Sequence, residues 1–370
     1  MPTKPSPSKD LTYMKRAIAI AENARSSTPP NPWVGTVIVR DSQILSEAHT
    51  SPYGGPHAEV NALKPLSMSA KNATAYVTLE PCCHFGKTPP CTDALIQSGI
   101  SRVVIALKDP DANVAGLGMQ KLLNAGIQVD LGVGVEEATA SLAPYLHHRK
   151  TGRPYCVLKA ATSIDGRLAA ADGSSKWITG PESRSEVQRI RSHSQAIMIG
   201  AETAIRDQPR LNLREQPSEA PLKQPLRVIV DSHARVPLEG DLFNTEDSPT
   251  LLFTCIEPPK DYLDKGVDLV QVKKGKGGIG VDLGDCLDEL GQRGILQLMI
   301  EGGGSLFNSF LQEGYVNKLI LFQGACSLGD QGTPLFSGPG PRSISEAKKW
   351  KLLQLKQFAN DVMMEYELDV

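Results

Sequence analysis

The sequence predicts two successive α/β domains. Three observations carry that expectation. The chain has 370 residues, at roughly 100–200 residues per domain. Strand and helix signals alternate through the first 145 residues. A polar segment broken by glycine and proline, HHRKTGRP at 147–154, then precedes a second, strand-richer pattern. The expected division is a first domain over 1–146, a linker over 147–154 and a second domain over 155–370.

In the first part, Leu11, Met14, Ala17, Ile18, Ala21 and Ala24 recur at helical spacing over 10–26. WVGTVIVR and the run around Gln43–Ser46 read as a strand pair joined at Asp41–Ser42. A helix from about His57 to Leu66 follows, then the strand ATAYVTLE, a cysteine-bearing loop and a helix near Cys91–Ser98. RVVIALKD is the next strand, GLGMQKLLNAG a helix closed by Gly126, and IQVDLGV a last strand. Strands separated by helices of about ten residues argue for a mostly parallel sheet with helices on both faces.

In the second part the order is strand YCVLKAATS, helix PESRSEVQRIRS, strand QAIMIG, a proline-rich stretch at 209–225 and strand LRVIVD. Strand TLLFT, helix VDLGDCLDELG, strand LQLMIEGGG, helix SLFNSFLQEG and strand NKLILFQG follow. Two closing strands around 350–369 are expected to run antiparallel, because only a short turn near Asn360–Asp361 separates them.

Composition narrows the function. With 39 basic and 41 acidic side chains the net charge is −2, which gives no reason to expect nucleic acid or an anionic membrane as partner. No run of about 18 apolar residues exists, so no transmembrane helix is expected. The opening MPTKPSPSKD lacks the apolar core of a signal peptide. Seven cysteines are an odd number, thinly spread except for Cys82, Cys83 and Cys91, and fit a reducing compartment. The expectation is a cytoplasmic protein acting on a small molecule; a homo-oligomer is left open.

The sharpest signal is GPHAEV at 55–60 followed by TLEPCCHFGKTPPC at 78–91. His57, Cys82 and Cys91 offer one imidazole and two thiolates, the donor set that Zn²⁺ prefers, and three protein ligands leave a fourth position for water. Zinc lowers the pKa of that water and makes a nucleophile at neutral pH. Glu59, two residues beyond His57, is placed to shuttle protons without joining the coordination sphere. H-x-E followed by P-C and a second cysteine is the layout of zinc nucleobase deaminases, although the thiolates here are spaced C-x₈-C. HAE alone recurs freely; the two P-C pairs that follow give it weight. A structural site with Cys83 or His84 as fourth ligand is the competing reading.

At these residues the chain resembles a known family. NPWVGTVIV, HAEV, YVTLEPCCHFGKTPPC and DPDANVAGLG are similar to the deaminase half of the bifunctional riboflavin-biosynthesis deaminase/reductase. The insert HFGKTPP separates that family from plain cytidine, tRNA-adenosine and guanine deaminases. The resemblance implies a cytidine-deaminase-like αβα domain. Its substrate would be 2,5-diamino-6-ribosylamino-4(3H)-pyrimidinone 5′-phosphate, which loses the 2-amino group as ammonia. It makes His57, Cys82 and Cys91 zinc ligands and Glu59 the proton shuttle, with Asn31, His84 and Lys87 as base and phosphate contacts. Cys83 departs from the family, which usually has serine there.

The resemblance continues through PYCVLKAATSIDGRLAAADGSSKWITG, RSHSQAIMIGAETAIRDQPRLNLR, LRVIVDS and LMIEGGGSLFNSFL, and implies a dihydrofolate-reductase-like second domain. No G-x-G-x-x-G fingerprint follows a first strand. EGGGSLFNSF reads as strand, glycine turn and helix start, with free N–H groups for a pyrophosphate or simply a tight turn. By family position Ala161, Trp177, Thr203, Asp207, Ser232, Gly303 and Gly304 would contact NADPH, and Ser175, Arg191, Leu211, Arg214 and Glu301 the substrate. Hydride would pass from NADPH to C1′ of the ribosyl group, giving a ribityl chain. Two arginines suit a ribose phosphate. Lys159 and Asp165 flank the first strand's end and are candidates for proton transfer, though Asp165-Gly166 also reads as a turn. Ser232 and Arg235 are candidate 2′-phosphate contacts. The rivals are a zinc nucleobase deaminase acting on RNA, which the balanced charge opposes, and a non-catalytic zinc protein, which the intact set of ligands and Glu59 opposes.

Overall fold

The computed structural model describes residues 7–111, 114–214, 223–257 and 259–369. Two residues of DPDANVAGLG and the middle of the proline-rich stretch lie outside them. The chain divides into two compact units, Met1–Gly152 and Arg153–Val370.

The first unit runs α1 (Pro7–Ala21), β1 (Gly35–Arg40), β2 (Gln43–His49), α2 (Ala58–Leu63), β3 (Thr74–Leu79), α3 (Cys91–Gln97), β4 (Arg102–Leu107), α4 (Leu117–Asn124), β5 (Gln128–Leu131) and α5 (Val135–Thr151). Its sheet order is β2-β1-β3-β4-β5. β1 runs antiparallel to β2 and β3, and β3, β4 and β5 are parallel. Asp41 and Ser42, with φ of 51° and 63°, make the tight turn expected between β1 and β2. Alternation along the strands splits the core. Val37, Val39, Tyr76, Val104 and Ala106 meet Met14, Ala17 and Ile20 of α1 and Ala138 of α5. The intervening Ile38, Val77, Val103 and Ile105 are equally buried, on the other face.

Two features differ from the sequence reading. Residues 147–151, expected as linker, are the last turns of α5, closed by Gly152 at φ 74°. Pro144 inside that helix and the basic run after it disguise the pattern. A buried ionic cluster also pins α1. Arg102 on β4 bonds Asp10 through both terminal nitrogens (2.9 and 2.8 Å) and Asp130 through Nε (2.6 Å), and the Tyr76 hydroxyl donates to Asp10 (2.7 Å).

The second unit runs β6 (Tyr155–Thr162), β7 (Arg167–Ala169), α6 (Pro181–Ser192), β8 (Ala196–Gly200), α7 (Ala201–Asp207), β9 (Leu226–Val230), β10 (Thr250–Thr254) and α8 (Lys260–Asp264). It continues with β11 (Asp268–Gln271), α9 (Leu283–Gln292), β12 (Gln297–Ile300), α10 (Gly304–Glu313), β13 (Lys318–Gln323), β14 (Thr333–Pro334), β15 (Trp350–Phe358) and β16 (Asp361–Leu368). Nine strands form one sheet, β11-β10-β9-β8-β12-β6-β13-β16-β15. It is parallel from β11 to β13, and the closing pair is antiparallel as expected. Cys156, Leu158 and Ala160 of β6 face α9 and α10, whereas Val157 between them faces α6 and α7.

The Arg102 cluster yields a prediction. Arg102→Leu leaves Asp10 buried without its guanidinium and costs about 3–5 kcal/mol, by analogy with broken buried pairs. Urea unfolding followed by circular dichroism measures it; a loss below about 1 kcal/mol, the exposed-pair range, refutes a stabilising role for the cluster.

Candidate active sites

In the first unit, chain direction gathers the loops. β1 is antiparallel to β2 and β3, so the end of β2, the start of β1 and the end of β3 share one edge of the sheet. β4, parallel to β3, ends there too. His57 is the N-cap of α2, Cys82 lies in the loop after β3, and Cys91 opens α3 behind Pro90.

These three side chains converge. His57 Nδ1 lies 3.5 Å from Cys82 Sγ and 3.3 Å from Cys91 Sγ, and all three donor atoms fall within 4.8 Å of one another. Ligands bonded to zinc at about 2.0–2.3 Å in a tetrahedron lie roughly 3.3–3.8 Å apart, so the residues fit the metal. The Cys91 backbone N–H points at Cys82 Sγ (3.3 Å), a stabilising contact for a thiolate. Two thiols this close do not both ionise without a cation. The hydrogen bond from Cys91 holds Cys82 down to about 4, while the same bond and then burial push Cys91 well above its ordinary value. A bound dication displaces the remaining proton. Among the described residues, neither Cys83 nor His84 belongs to this group, which leaves a fourth position open.

Glu59 stands beside the metal group and is 3% exposed. Burial first, then the negative Cys82, raises its carboxyl to about 7, against the opposing pull of His57. A carboxyl titrating near neutrality exchanges protons readily at working pH.

A cavity of about 290 Å³ opens over the group. His57, Glu59 and Cys82 line it, and Asn31, His84 and Lys87 share its wall. So do Asp109, Asp111, Tyr145 and Arg149, which the sequence reading missed. Glu80 positions part of this wall: its carboxylate accepts the backbone N–H groups of Asp109 (3.3 Å), Gly116 (3.0 Å) and Met119 (3.1 Å). A side chain at Gly118 would meet the Pro81 carbonyl at 2.1 Å, so only glycine admits this close passage. The DPD signal at 109–111 could have pointed to the wall, but not to its partners.

In the second unit the candidate residues gather at the carboxyl edge of the parallel strands, where ligands of such sheets bind. Across neighbouring strands β9, β8, β12 and β6, Ser232 follows the first, Thr203 the second, Glu301 and Gly303 the third, and Ala161 lies near the end of the fourth. Gly303 caps α10, and a Cβ placed on it would sit 3.7 Å from Thr203 Oγ1. The helix start, with its unpaired N–H groups, therefore faces the beginning of α7 and suits a pyrophosphate. Gly304 is also closely packed. A Cβ there would lie 2.4 Å from the Pro334 carbonyl. Trp177 is 64% exposed, with the Arg184 guanidinium 4.5 Å over its ring. Asp207 has its carboxyl raised by burial and opposed by Lys176, next to Trp177. Ser175 is half-buried in the same loop.

Two of the charged candidates, Arg191 and Glu301, form an ion pair. Arg191 closes its fork on Glu301 (2.6 and 2.7 Å) and also donates to the Asn212 carbonyl (3.4 Å), so that face is already engaged. Arg214 is exposed, and burial and then Arg191 lower its pKa. Leu211 is buried in a left-handed conformation, φ 47°. Burial lowers Lys159, with Glu301 opposing; burial alone would raise Glu301, but Arg191 and Lys159 bring it to about 2. Asp165 is a turn staple rather than a free proton donor. It accepts the Ser163 hydroxyl (2.5 Å) and the N–H groups of Leu328 and Gly329, and those bonds hold it at about 2.

Comparison with known proteins places the whole chain. Residues 154–364 match the family model described as RibD C-terminal domain, and residues 7–107 that of the cytidine and deoxycytidylate deaminase zinc-binding region. The riboflavin biosynthesis protein RibD of Chlamydia trachomatis is 44% identical over 327 residues, covering 88% of this chain and 87% of that one. That of Escherichia coli is 37% identical over 365 residues, covering 96% and 98%. The solved RibD of Acinetobacter baumannii (form 1) superposes with a TM-score of 0.90 at 36% identity, covering 99% of this chain and 100% of that chain. A diaminohydroxyphosphoribosylaminopyrimidine deaminase/5-amino-6-(5-phosphoribosylamino)uracil reductase from Thermotoga maritima gives 0.87 at 32%, covering 98% and 99%. None of these relatives supports an RNA-acting deaminase or a non-catalytic zinc protein.

Two predictions follow from this geometry. Cys83→Ser retains about one zinc per chain, as one closed donor set implies, whereas Cys82→Ser and Cys91→Ser lose it; atomic absorption decides. Loss of zinc in the Cys83 variant with retention in the Cys91 variant contradicts the ligand set. The second concerns Glu301, whose folded pKa is depressed from about 4.5 to about 2. A depressed carboxylate stabilises above its unfolded pKa and loses that stability as pH falls through the folded one. Glu301→Gln therefore lowers stability at pH 7 by about 3 kcal/mol, and the gap to wild type narrows between about pH 4.5 and 2. A gap independent of pH refutes the electrostatic origin.

Proposed function

This chain belongs to the RibD family of riboflavin-biosynthesis deaminase/reductases, and from that premise we propose how its two units divide the work. It is a bifunctional enzyme with deaminase and reductase activities, a zinc-binding deaminase domain and a reductase domain of a family that uses NADPH. The observation carrying the deaminase assignment is the convergence of His57, Cys82 and Cys91 beside a buried Glu59.

We assign His57, Cys82 and Cys91 as the zinc ligands and Glu59 as the proton carrier. When bound, zinc supplies an acidified water as nucleophile. Glu59 takes a proton from the attacking water and delivers it to the 2-amino nitrogen. The C–N bond breaks, a C–O bond replaces it, and ammonia leaves. Glu59, buried beside the ligands, is placed to make both transfers. Asn31 and His84 orient the pyrimidine and Lys87 meets the phosphate. The substrate in this reading is 2,5-diamino-6-ribosylamino-4(3H)-pyrimidinone 5′-phosphate. The domain boundary falls after α5, since that helix packs in the first core through Ala138.

In the second unit NADPH supplies the hydride to C1′ of the deaminated ribosyl compound. Ala161, Trp177, Thr203, Asp207, Ser232, Gly303 and Gly304 would bind it, the two glycines through the start of α10. Ser175, Arg191, Leu211, Arg214 and Glu301 hold the substrate, with the Arg191–Glu301 pair setting the charge around Lys159. Lys159, lowered by burial, gives the proton that the opening sugar ring requires. We infer a cytoplasmic enzyme that acts on a small molecule rather than on nucleic acid, a reading that the net charge of −2 supports; among the described residues no helix is long and apolar enough to cross a membrane.

Glu59→Gln keeps its zinc and loses ammonia release by about 10²–10⁴-fold, the usual range for a general acid–base group. Wild-type ammonia release by that variant contradicts the assignment. The expected cofactor preference is tested by kcat/KM for NADPH and NADH; equal values reject Ser232 and Arg235 as 2′-phosphate contacts.

A further inference from the structure

The deaminase cavity carries a second built cation. Arg149 sits on the last turns of α5, and its side chain is 28% exposed. Its guanidinium lies 5.0 Å from the centroid of the Tyr145 ring. That ring is itself buried, and its hydroxyl donates to Asp109 (3.0 Å), which fixes the platform. Arg149 Nε makes no hydrogen bond; Asp111 Oδ2 stands 3.5 Å from it, and one terminal nitrogen lies 3.3 Å from His148 Nδ1. Lys87, in the exposed insert between the thiolates, rests its ammonium 3.9 Å from the Tyr53 ring centroid. Both cations line the cavity whose wall holds His57, Glu59 and Cys82.

We propose that Arg149 is a phosphate-binding residue of the deaminase site, acting with Lys87 to select the phosphorylated substrate. The inference rests on the reading that this cavity binds a phosphorylated pyrimidine. The reacting ring carbon must lie at the zinc group, so the ribose phosphate extends away from it towards the more exposed wall. A guanidinium stacked on a fixed ring loses little freedom on binding, and its N–H donors match phosphate oxygens bidentately. The dianion would displace the weak contact with Asp111. Lys87 supplies charge from an exposed loop; Arg149 supplies direction from a helix in the core.

The test compares the phosphorylated pyrimidine with its phosphatase-treated, dephosphorylated form in the full-length zinc protein. The ratio of their kcat/KM values is the readout. In Arg149→Gln that ratio falls by about 10- to 100-fold, the range for a lost charged hydrogen bond. The loss appears in KM, with zinc content held at one per chain. Arg149→Lys restores part of the ratio. An unchanged ratio, or equal losses on both substrates, overturns the proposal by making Arg149 structural. No ammonia from the phosphorylated substrate with wild-type protein overturns the underlying reading instead.

Discussion

A parallel strand cannot return through a tight turn, so its connections must cross over and its outgoing loops collect at one edge of the sheet. Both sites of this protein depend on that constraint. In the first unit it brings the loop before α2, the loop after β3 and the loop after β4 to a common edge, and with them His57, Cys82 and Asp109. In the second it lines up Ser232, Thr203, Gly303 and Ala161 across four adjacent strands. Residues scattered over more than a hundred positions become neighbours because the hydrogen-bond ladder leaves their strands no other order.

The loops at these edges are then fixed by buried carboxylates. Glu80 takes three backbone N–H groups, those of Asp109, Gly116 and Met119, and so ties together the chain around the first unit's cavity. Asp231 does the same after β9, accepting from Arg235 and Val236 and so presenting Ser232. Such a carboxylate replaces the water it loses on burial with oriented amides. Arg191 and Glu301 follow a related logic in the reductase site, where each charge is tolerable only because the other is bonded to it.

Much of this was legible in the residues. Short, nearly continuous apolar runs located the buried strands, and β6 shows why they are apolar throughout: its successive side chains enter different cores. His57, Glu59, Cys82 and Cys91 were legible because zinc chemistry restricts residue type as well as spacing. The rest depended on tertiary partners. Nothing in the composition of HHRKTGRP distinguishes a linker from a helix end, and only packing against the first core settles it, which is how Arg149 escaped notice. Nothing in the sequence shows that Arg191 pairs with Glu301, 110 positions away. Asp165 reads equally as a proton carrier or as a turn residue, and its hydroxyl and two backbone N–H partners are those of a turn.

In the proposed division of labour the metal serves the first activity alone, and the second rests on NADPH and the residues of its own unit. Chelation of the full-length protein measures this most directly, with ammonia release and NADPH oxidation followed in parallel on the phosphorylated pyrimidine and its deaminated product. The expected result is loss of ammonia release, restored by added zinc, while NADPH oxidation with the deaminated product persists. Ammonia release that survives complete zinc removal would contradict the central claim.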